Sequence, residues 1–274
     1  MNPRALLAKW GAHPKKKFGQ NFLLDGSAAT RIARLACEDL GDARVLEIGA
    51  GTGALTLALL NEGARVTALE IDPALVTILR ERDDLAAAAI VDADAMTFDY
   101  SAFASGGRWR VAGNLPYNVA TPLLLALVEM ESGPETIVAM VQKDVANRIA
   151  ARPATPAYGS LSLAVQYAMQ VERSFTLGPR AFYPPPKVDS TVMRLRRREQ
   201  PAVAPRDLAL FRKVVRGAFA YRRKTLANSL TLALGLDREA VARAIAASGL
   251  PAESRGEQLD LQAFSTLADH LAAG

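Results

Sequence analysis

The chain has 274 residues, half of them hydrophobic and 22% charged, a balance that supports one large and one small folded domain and excludes extensive disorder or a small disulfide-stapled scaffold. A single cysteine, Cys37, and two histidines, His13 and His270, exclude an internal disulfide, a cysteine zinc cluster and a histidine-centred hydrolase triad, so no metal site is expected. The net charge of +5 is unevenly spread: residues 1–17 hold five basic and no acidic side chains, residues 194–224 hold eleven basic against two acidic, and the rest sums to −9. That distribution describes an acidic body with two basic appendages, suited to RNA or DNA; solvated helix faces are the alternative.

Along the chain, the apolar stretch Ala5-Leu6-Leu7-Ala8 is too short for a signal-peptide core, and a cytoplasmic location is expected. Helical spacing over residues 28–40 ends at Gly41 and places Cys37 in a packed helix. A strand at 45–48 then runs into Gly49-Ala50-Gly51-Thr52-Gly53 and a helix over 54–61. A second strand, 66–69, ends at Glu70-Ile71-Asp72-Pro73 and leads to a helix reaching about Arg82. Further apolar strands fall at 88–91, 110–112 and 136–141, and this alternation predicts a doubly wound, mostly parallel α/β sheet. The uncharged run 111–128 contains Gly113, Asn114, Pro116, Asn118 and Pro122 and is not expected to span a membrane. Residues 171–177 and 190–195 read as two strands joined by a Pro-rich loop, an antiparallel hairpin at the sheet edge. After about residue 200 the spacing is helical from 207 to 271, giving domains of 1–200 and 201–274, the second small and all-helical.

The glycine turn after a strand lets a ligand approach the backbone at a helix N-terminus, and with Ala54 in the third position it also satisfies a nicotinamide dinucleotide fingerprint. Glu70 closes the next strand, suited to gripping two ribose hydroxyls for either kind of cofactor. Glu47 stands either behind the pocket or solvated at the strand end. Together with Asp92-Ala93-Asp94 after the third strand, the set resembles the S-adenosylmethionine pocket of Rossmann-like class I methyltransferases. The resemblance implies that Gly49 and Gly51 lie against the methionine and ribose parts, Glu70 takes the ribose hydroxyls, and Asp94 accepts from the adenine amino group. Asp92 is assigned to turn chemistry. Asn114-Leu115-Pro116-Tyr117 alone could be a plain turn before a helix starting near Thr121. It resembles the Asn/Asp-Pro-Pro-Tyr loop of enzymes that methylate exocyclic amino groups. Acceptors at the Asn114 side-chain oxygen and the Leu115 carbonyl would hold the hydrogens of an adenine N6, whose lone pair is otherwise delocalised into the ring. Pro116 would fix the loop and Tyr117 would stack on the base.

Five segments, beginning at Lys16-Lys17-Phe18-Gly19-Gln20-Asn21-Phe22-Leu23, Asn114, Gln142-Lys143-Asp144, Tyr183-Pro184-Pro185-Pro186 and Phe219-Ala220-Tyr221-Arg222-Arg223-Lys224, resemble successive signatures of one family over nearly the whole chain. It is the KsgA (RsmA) type of small-subunit ribosomal RNA adenine dimethyltransferase. The family implies N6,N6-dimethylation of two adjacent adenosines in a hairpin near the 3′ end of 16S rRNA, within small ribosomal subunit particles during assembly, by a monomer. It further implies that Asn21 and Leu23 join Gly49, Gly51, Glu70, Asp94 and Asn114 around the cofactor. Phe182 becomes either a second aromatic at the target base or a hydrophobic plug. Lys15, Lys16, Lys17, Arg222, Arg223 and Lys224 are expected to meet RNA phosphates. Ser160 departs from the pattern, standing where arginine is expected. A 23S rRNA dimethyltransferase of the resistance type and an assembly checkpoint acting mainly by binding are the competing functions.

Overall fold

The structure is a computed structural model that describes residues 3–272. Its strands are β1 (Phe22–Leu23), β2 (Arg44–Ile48), β3 (Arg65–Glu70), β4 (Ala89–Asp92), β5 (Trp109–Asn114), β6 (Thr136–Gln142), β7 (Met169–Leu177), β8 (Phe182–Tyr183) and β9 (Ser190–Arg197). Seven of them form one sheet in the order β4-β3-β2-β5-β6-β9-β7. β2 through β6 pair in parallel, whereas β9 pairs antiparallel with β6. Parallel strands are covered on both faces, so they are apolar without alternation: Val45, Leu46, Ile48, Val111, Ala112 and Ile137 are each at most 1% exposed. The hairpin expected from the sequence is present, with β9 lying between β6 and β7. The Thr176–Thr191 hydroxyl contact at 3.1 Å and the Glu172–Arg196 ion pair at 3.4 Å show these two strands running in opposite directions. β1 and β8 make a separate two-residue antiparallel pair, Phe22 opposite Tyr183 and Leu23 opposite Phe182.

The helices are α1 (Pro3–Lys9), α2 (Gly26–Cys37), α3 (Ala54–Asn61), α4 (Pro73–Arg80), α5 (Tyr100–Ala104), α6 (Ala120–Glu129), α7 (Lys143–Ile149), α8 (Ser160–Ala168), α9 (Leu208–Ala220), α10 (Leu226–Leu234), α11 (Arg238–Ala247) and α12 (Leu261–Ala272). α2 starts two residues ahead of its expected position because Asp25 caps it, accepting from the N–H groups of Ser27 and Ala28 at 2.9 and 3.2 Å. It ends at Cys37 because Arg110, 5% exposed on β5, donates to the carbonyls of Ala36, Glu38 and Asp39 at 2.9, 2.5 and 2.6 Å. Cys37 packs in that helix, and burial pushes its thiol up to about 11.

The chain divides into two units, residues 3–146 with 171–197, and residues 147–170 with 198–272. Re-entry at Arg198 falls beside the expected boundary near 200, but the helical unit also takes residues 147–170. Tyr158 and Leu163 belong to its apolar core, along with Phe211, Leu226 and Phe264, and the Tyr158 hydroxyl donates to the Leu259 carbonyl at 2.8 Å. Among the described residues, no helix is long and apolar enough to cross a membrane.

The two basic appendages are corrected by the structure. Leu6 and Leu7 of α1 pack against Phe22, Leu75 and Ile78, so the N-terminal segment is fastened to the first unit. In the second run, Arg194 is buried and paired with Glu38, Arg196 pairs with Glu172, and Arg197 donates to the carbonyls of Pro134 and Leu127 at 3.0 and 3.1 Å. Arg198 donates to the Gln166 carbonyl at 3.2 Å. These four arginines hold the fold together because their residues sit on or beside a strand flanked by others. Linear charge counting cannot see that.

Candidate active site

β2 ends at Ile48 and the chain turns through Gly49-Ala50-Gly51-Thr52-Gly53 into α3. Gly49 and Gly51 have φ of +75° and +58°, and a Cβ on Gly51 would stand 3.1 Å from the Phe22 ring, so only glycine fits this turn without strain. The turn is tied to β3 by Glu70. This carboxylate is 5% exposed and accepts three backbone N–H bonds, from Gly51 at 2.7 Å and from Ile71 and Asp72 at 3.0 Å each. Burial raises the Glu70 pKa against the opposing pull of these bonds.

Glu47, at 1% exposure, is buried rather than solvated, which removes that alternative. It accepts from the Thr56 hydroxyl at 2.6 Å, and burial pushes its pKa up to about 7, with the nearby Glu70 charge adding to the rise. The folded state therefore binds this proton more tightly than the unfolded chain does. The stability it supplies is complete below the ordinary carboxyl range and is lost as pH rises through about 7. Between pH 4 and 8 the wild type is expected to lose about 3 kcal/mol relative to Glu47→Gln, measured by urea unfolding. Identical pH profiles for the two proteins would contradict this.

β5 delivers Asn114 to the opposite wall. Its Nδ2 donates to the Asn21 carbonyl at 2.8 Å, and because a carbonyl only accepts, this bond fixes the amide orientation and turns Oδ1 out as an acceptor. Leu115 donates its N–H to the Met140 carbonyl at 3.1 Å, and the Pro116 carbonyl accepts from Val119 and Ala120 where α6 begins. The Tyr117 hydroxyl stands 2.8 Å from Ser190 Oγ at the start of β9, and Ser190 is fully buried. Burial raises the Tyr117 pKa. In the sequence Ser190 is no more than the first residue of a strand, because its partner lies 73 residues away.

One cleft is lined by Asn21, Leu23, Glu47, Gly49, Gly51, Glu70 and the whole Asn114-Leu115-Pro116-Tyr117 loop. An adjoining recess, sharing Gly49, Ile71 and Pro116 with it, holds Asp94, Met96 and Lys17. Asp94 itself closes the turn, accepting from the Met96 N–H at 2.8 Å, while Asp92 ends β4 opposite Glu70.

Other expected residues lie elsewhere. Phe182 does not line the cleft; its ring is 1% exposed in the apolar core with Leu23 and Ile32, so in this structure it is the plug and not a stacking platform. Lys15 is ion-paired with the buried Asp72 at 2.6 Å, with its own side chain 41% exposed. Lys17 lies over the Phe18 ring at 4.6 Å, and Lys16 belongs to the same short helical turn. In the helical unit, Arg222 donates to the carbonyls of Pro156 and Tyr158 at 3.1 and 3.3 Å, bracing that loop. Arg223 and Lys224 occupy the turn ahead of Thr225, which caps α10.

The cleft discriminates between cofactor types. A nicotinamide dinucleotide would bring its pyrophosphate to the glycine turn, but the Gly51 N–H there is already held by a carboxylate, and no lysine or arginine lines this cleft among the described residues. With the observed strand order, this makes the first unit a class I S-adenosylmethionine-dependent methyltransferase.

Comparison with known proteins places the chain within that class: it belongs to the ribosomal RNA adenine dimethylase family, which matches residues 11–263. It is 42% identical over 270 residues to the ribosomal RNA small subunit methyltransferase A of Magnetococcus marinus, covering 97% of this chain and 95% of the relative. The Pseudomonas aeruginosa protein of the same name is 44% identical over 260 residues, covering 94% of each. Among solved structures, the 23S rRNA methyltransferase ErmE superposes with a TM-score of 0.68 at 29% identity, covering 92% of this chain and all of that one. A dimethyladenosine transferase from Plasmodium falciparum gives 0.73 at 23% identity, covering 90% and 95%.

Proposed function

We propose that this protein dimethylates N6 of two adjacent adenosines in a hairpin near the 3′ end of 16S rRNA, acting as a cytoplasmic monomer on small ribosomal subunit particles during their assembly. S-adenosylmethionine supplies a methyl group open to direct displacement. The observation that carries the reading is the fixed Asn114 amide, whose Oδ1 is left as an acceptor on a residue that lines the glycine cleft together with Leu115. Asn114 Oδ1 and the Leu115 carbonyl hold the amino hydrogens, which favours a pyramidal nitrogen with its lone pair available. Pro116 fixes both acceptors before the base arrives. Tyr117 stacks on a base that has left its helix, and Ser190 sets the ring. Asn21, Leu23, Gly49 and Gly51 line the methionine and ribose end, Glu70 receives the ribose hydroxyls, and Asp94 receives the adenine amino group. No strong general base is required, because the product nitrogen is acidic enough to release its proton to an acceptor or to water. Lys16, Lys17, Arg223 and Lys224 meet phosphates, and the helical unit aids docking.

Labelled methyl donor incubated with the purified protein and unmethylated small subunits, followed by mapping of the modified bases, tests the reading. Label on adenines elsewhere overturns it. The likeness to ErmE makes 23S rRNA the second reading, so large subunits belong in the same assay; identities of 42% and 44% to small-subunit enzymes against 29% favour the small subunit. Ser190→Ala should slow methyl transfer about fivefold, the worth of one net hydrogen bond, with cofactor affinity unchanged. Combined with Tyr117→Phe it should add nothing, since both remove the same contact.

A further inference from the structure

Lys15, Gln20 and Asn21 lie within one short stretch of chain, and their bonds reach both walls of the cleft. Lys15 Nζ stands 2.6 Å from Asp72 Oδ1, and Gln20 Nε2 donates to Asp72 Oδ2 at 3.0 Å. Gln20 Oε1 accepts from the Lys15 backbone N–H at 2.7 Å, which closes the stretch on itself. The Asp72 side chain is 2% exposed; it caps α4 by accepting from Ala74, and its own N–H donates to Glu70. At the far end of the stretch the Asn21 carbonyl receives Asn114 Nδ2.

A fully exposed ion pair between these residues would be worth little, but here one partner is buried. Without Lys15 that buried carboxylate loses the one charged partner it has among the described residues. The same stretch decides which way the Asn114 amide points, because the Asn21 carbonyl is what fixes it.

We propose that Lys15 is a positioning residue for methyl transfer: through Asp72 it docks residues 15–21 so that the Glu70 end of the cleft and the Asn114 amide are set together. The inference rests on the roles given above to Glu70 and Asn114, and it takes Lys15 out of the phosphate-binding set. It requires cofactor affinity and the methyl-transfer step to change together while the electrostatics of RNA docking stay as they are.

The test uses the full chain with Lys15→Met, Lys15→Arg and Asp72→Asn. Asparagine still caps α4, so Asp72→Asn removes the charge and keeps the helix start. Lys15→Met and Asp72→Asn are each expected to raise the Kd for S-adenosylmethionine, measured by calorimetry, about tenfold and to slow single-turnover methylation to a similar degree. Lys15→Arg restores both, and the salt dependence of small-subunit binding is unchanged throughout. A phosphate contact gives the opposite pattern: Lys15→Met lowers the salt slope by about one and leaves the Kd for S-adenosylmethionine alone, which overturns the proposal. It is also overturned if Asp72→Asn behaves as wild type while Lys15→Met does not. A wild-type protein that binds S-adenosylmethionine but leaves small-subunit adenines unmethylated rejects the proposed function instead, and the calorimetric comparison still decides the role of Lys15.

Discussion

Asn114→Ala is expected to lower single-turnover methylation about 10²–10³-fold while binding of small subunits stays within about threefold of wild type. The size follows from losing one preorganised group that acts where charge changes in the transition state. In the proposed function the reacting nitrogen is a poor nucleophile until its hydrogens are held, and Asn114 Oδ1 is one of the two acceptors assigned to that role. Asn114→Asp sharpens the argument. It keeps an acceptor but sets a carboxylate oxygen against the Asn21 carbonyl, which needs the N–H that asparagine supplies at 2.8 Å. Rates for both variants should fall together if the fixed amide matters, and an aspartate variant at wild-type rate would show that any acceptor suffices. Labelled methyl transfer and filter binding on the same particles separate chemistry from docking. Loss of both in Asn114→Ala would count against distinct catalytic and checkpoint contributions.

Glu70→Gln is expected to raise the Kd for S-adenosylmethionine about 100-fold and to remove about 2–3 kcal/mol of stability. The substitution preserves shape, yet both carboxylate oxygens already face N–H donors, Oε2 toward Gly51 and Oε1 toward Ile71 and Asp72. Whichever way the amide turns, its NH₂ group meets a donor and one bond becomes a repulsion inside a site of 5% exposure. The glycine turn loses its tether to β3 at the same time. Thermal unfolding without ligand reads the stability arm and calorimetry reads the affinity arm. A variant that keeps its melting temperature and loses only affinity would show that the tether to Gly51 is dispensable.

What the sequence makes legible is whatever depends on local pattern. Apolar runs alternating with helical spacing, the glycine turn, Glu70 at a strand end and the Asn114 loop all rest on neighbours in the chain, and each stands where it was expected. What it hides depends on partners far apart. Arg194 looks like part of a basic run until the fold carries Glu38 to it across 156 residues, and the Lys15 side chain shows no mark of Asp72, its ion-pair partner from 57 residues away. Residues 147–170 join the helical unit through Tyr158 and Leu163, whose spacing carries no mark of which core they enter. Phe182 was open to two uses because a buried ring and a stacking ring have the same side chain; only its burial tells them apart.

The place of β9 between β6 and β7 has a consequence for the chain during synthesis. Between its polar ends Thr136 and Gln142, β6 is apolar, with Ile137, Val138, Ala139, Met140 and Val141 at 0% exposure, and on one flank its strand partner is residues 190–196. Until those residues leave the ribosome, a nascent chain that has already wound its parallel strands carries a sticky, unpaired border some fifty residues behind the point of synthesis, the kind of border that recruits other chains. The finished molecule instead ends its sheet on β7, whose Glu172, Arg173 and Ser174 put charge and polarity on that rim. The late insertion of one reversed strand thus exchanges an aggregation-prone margin for a soluble one, and a chain cut short before residue 190 would be a client for chaperones.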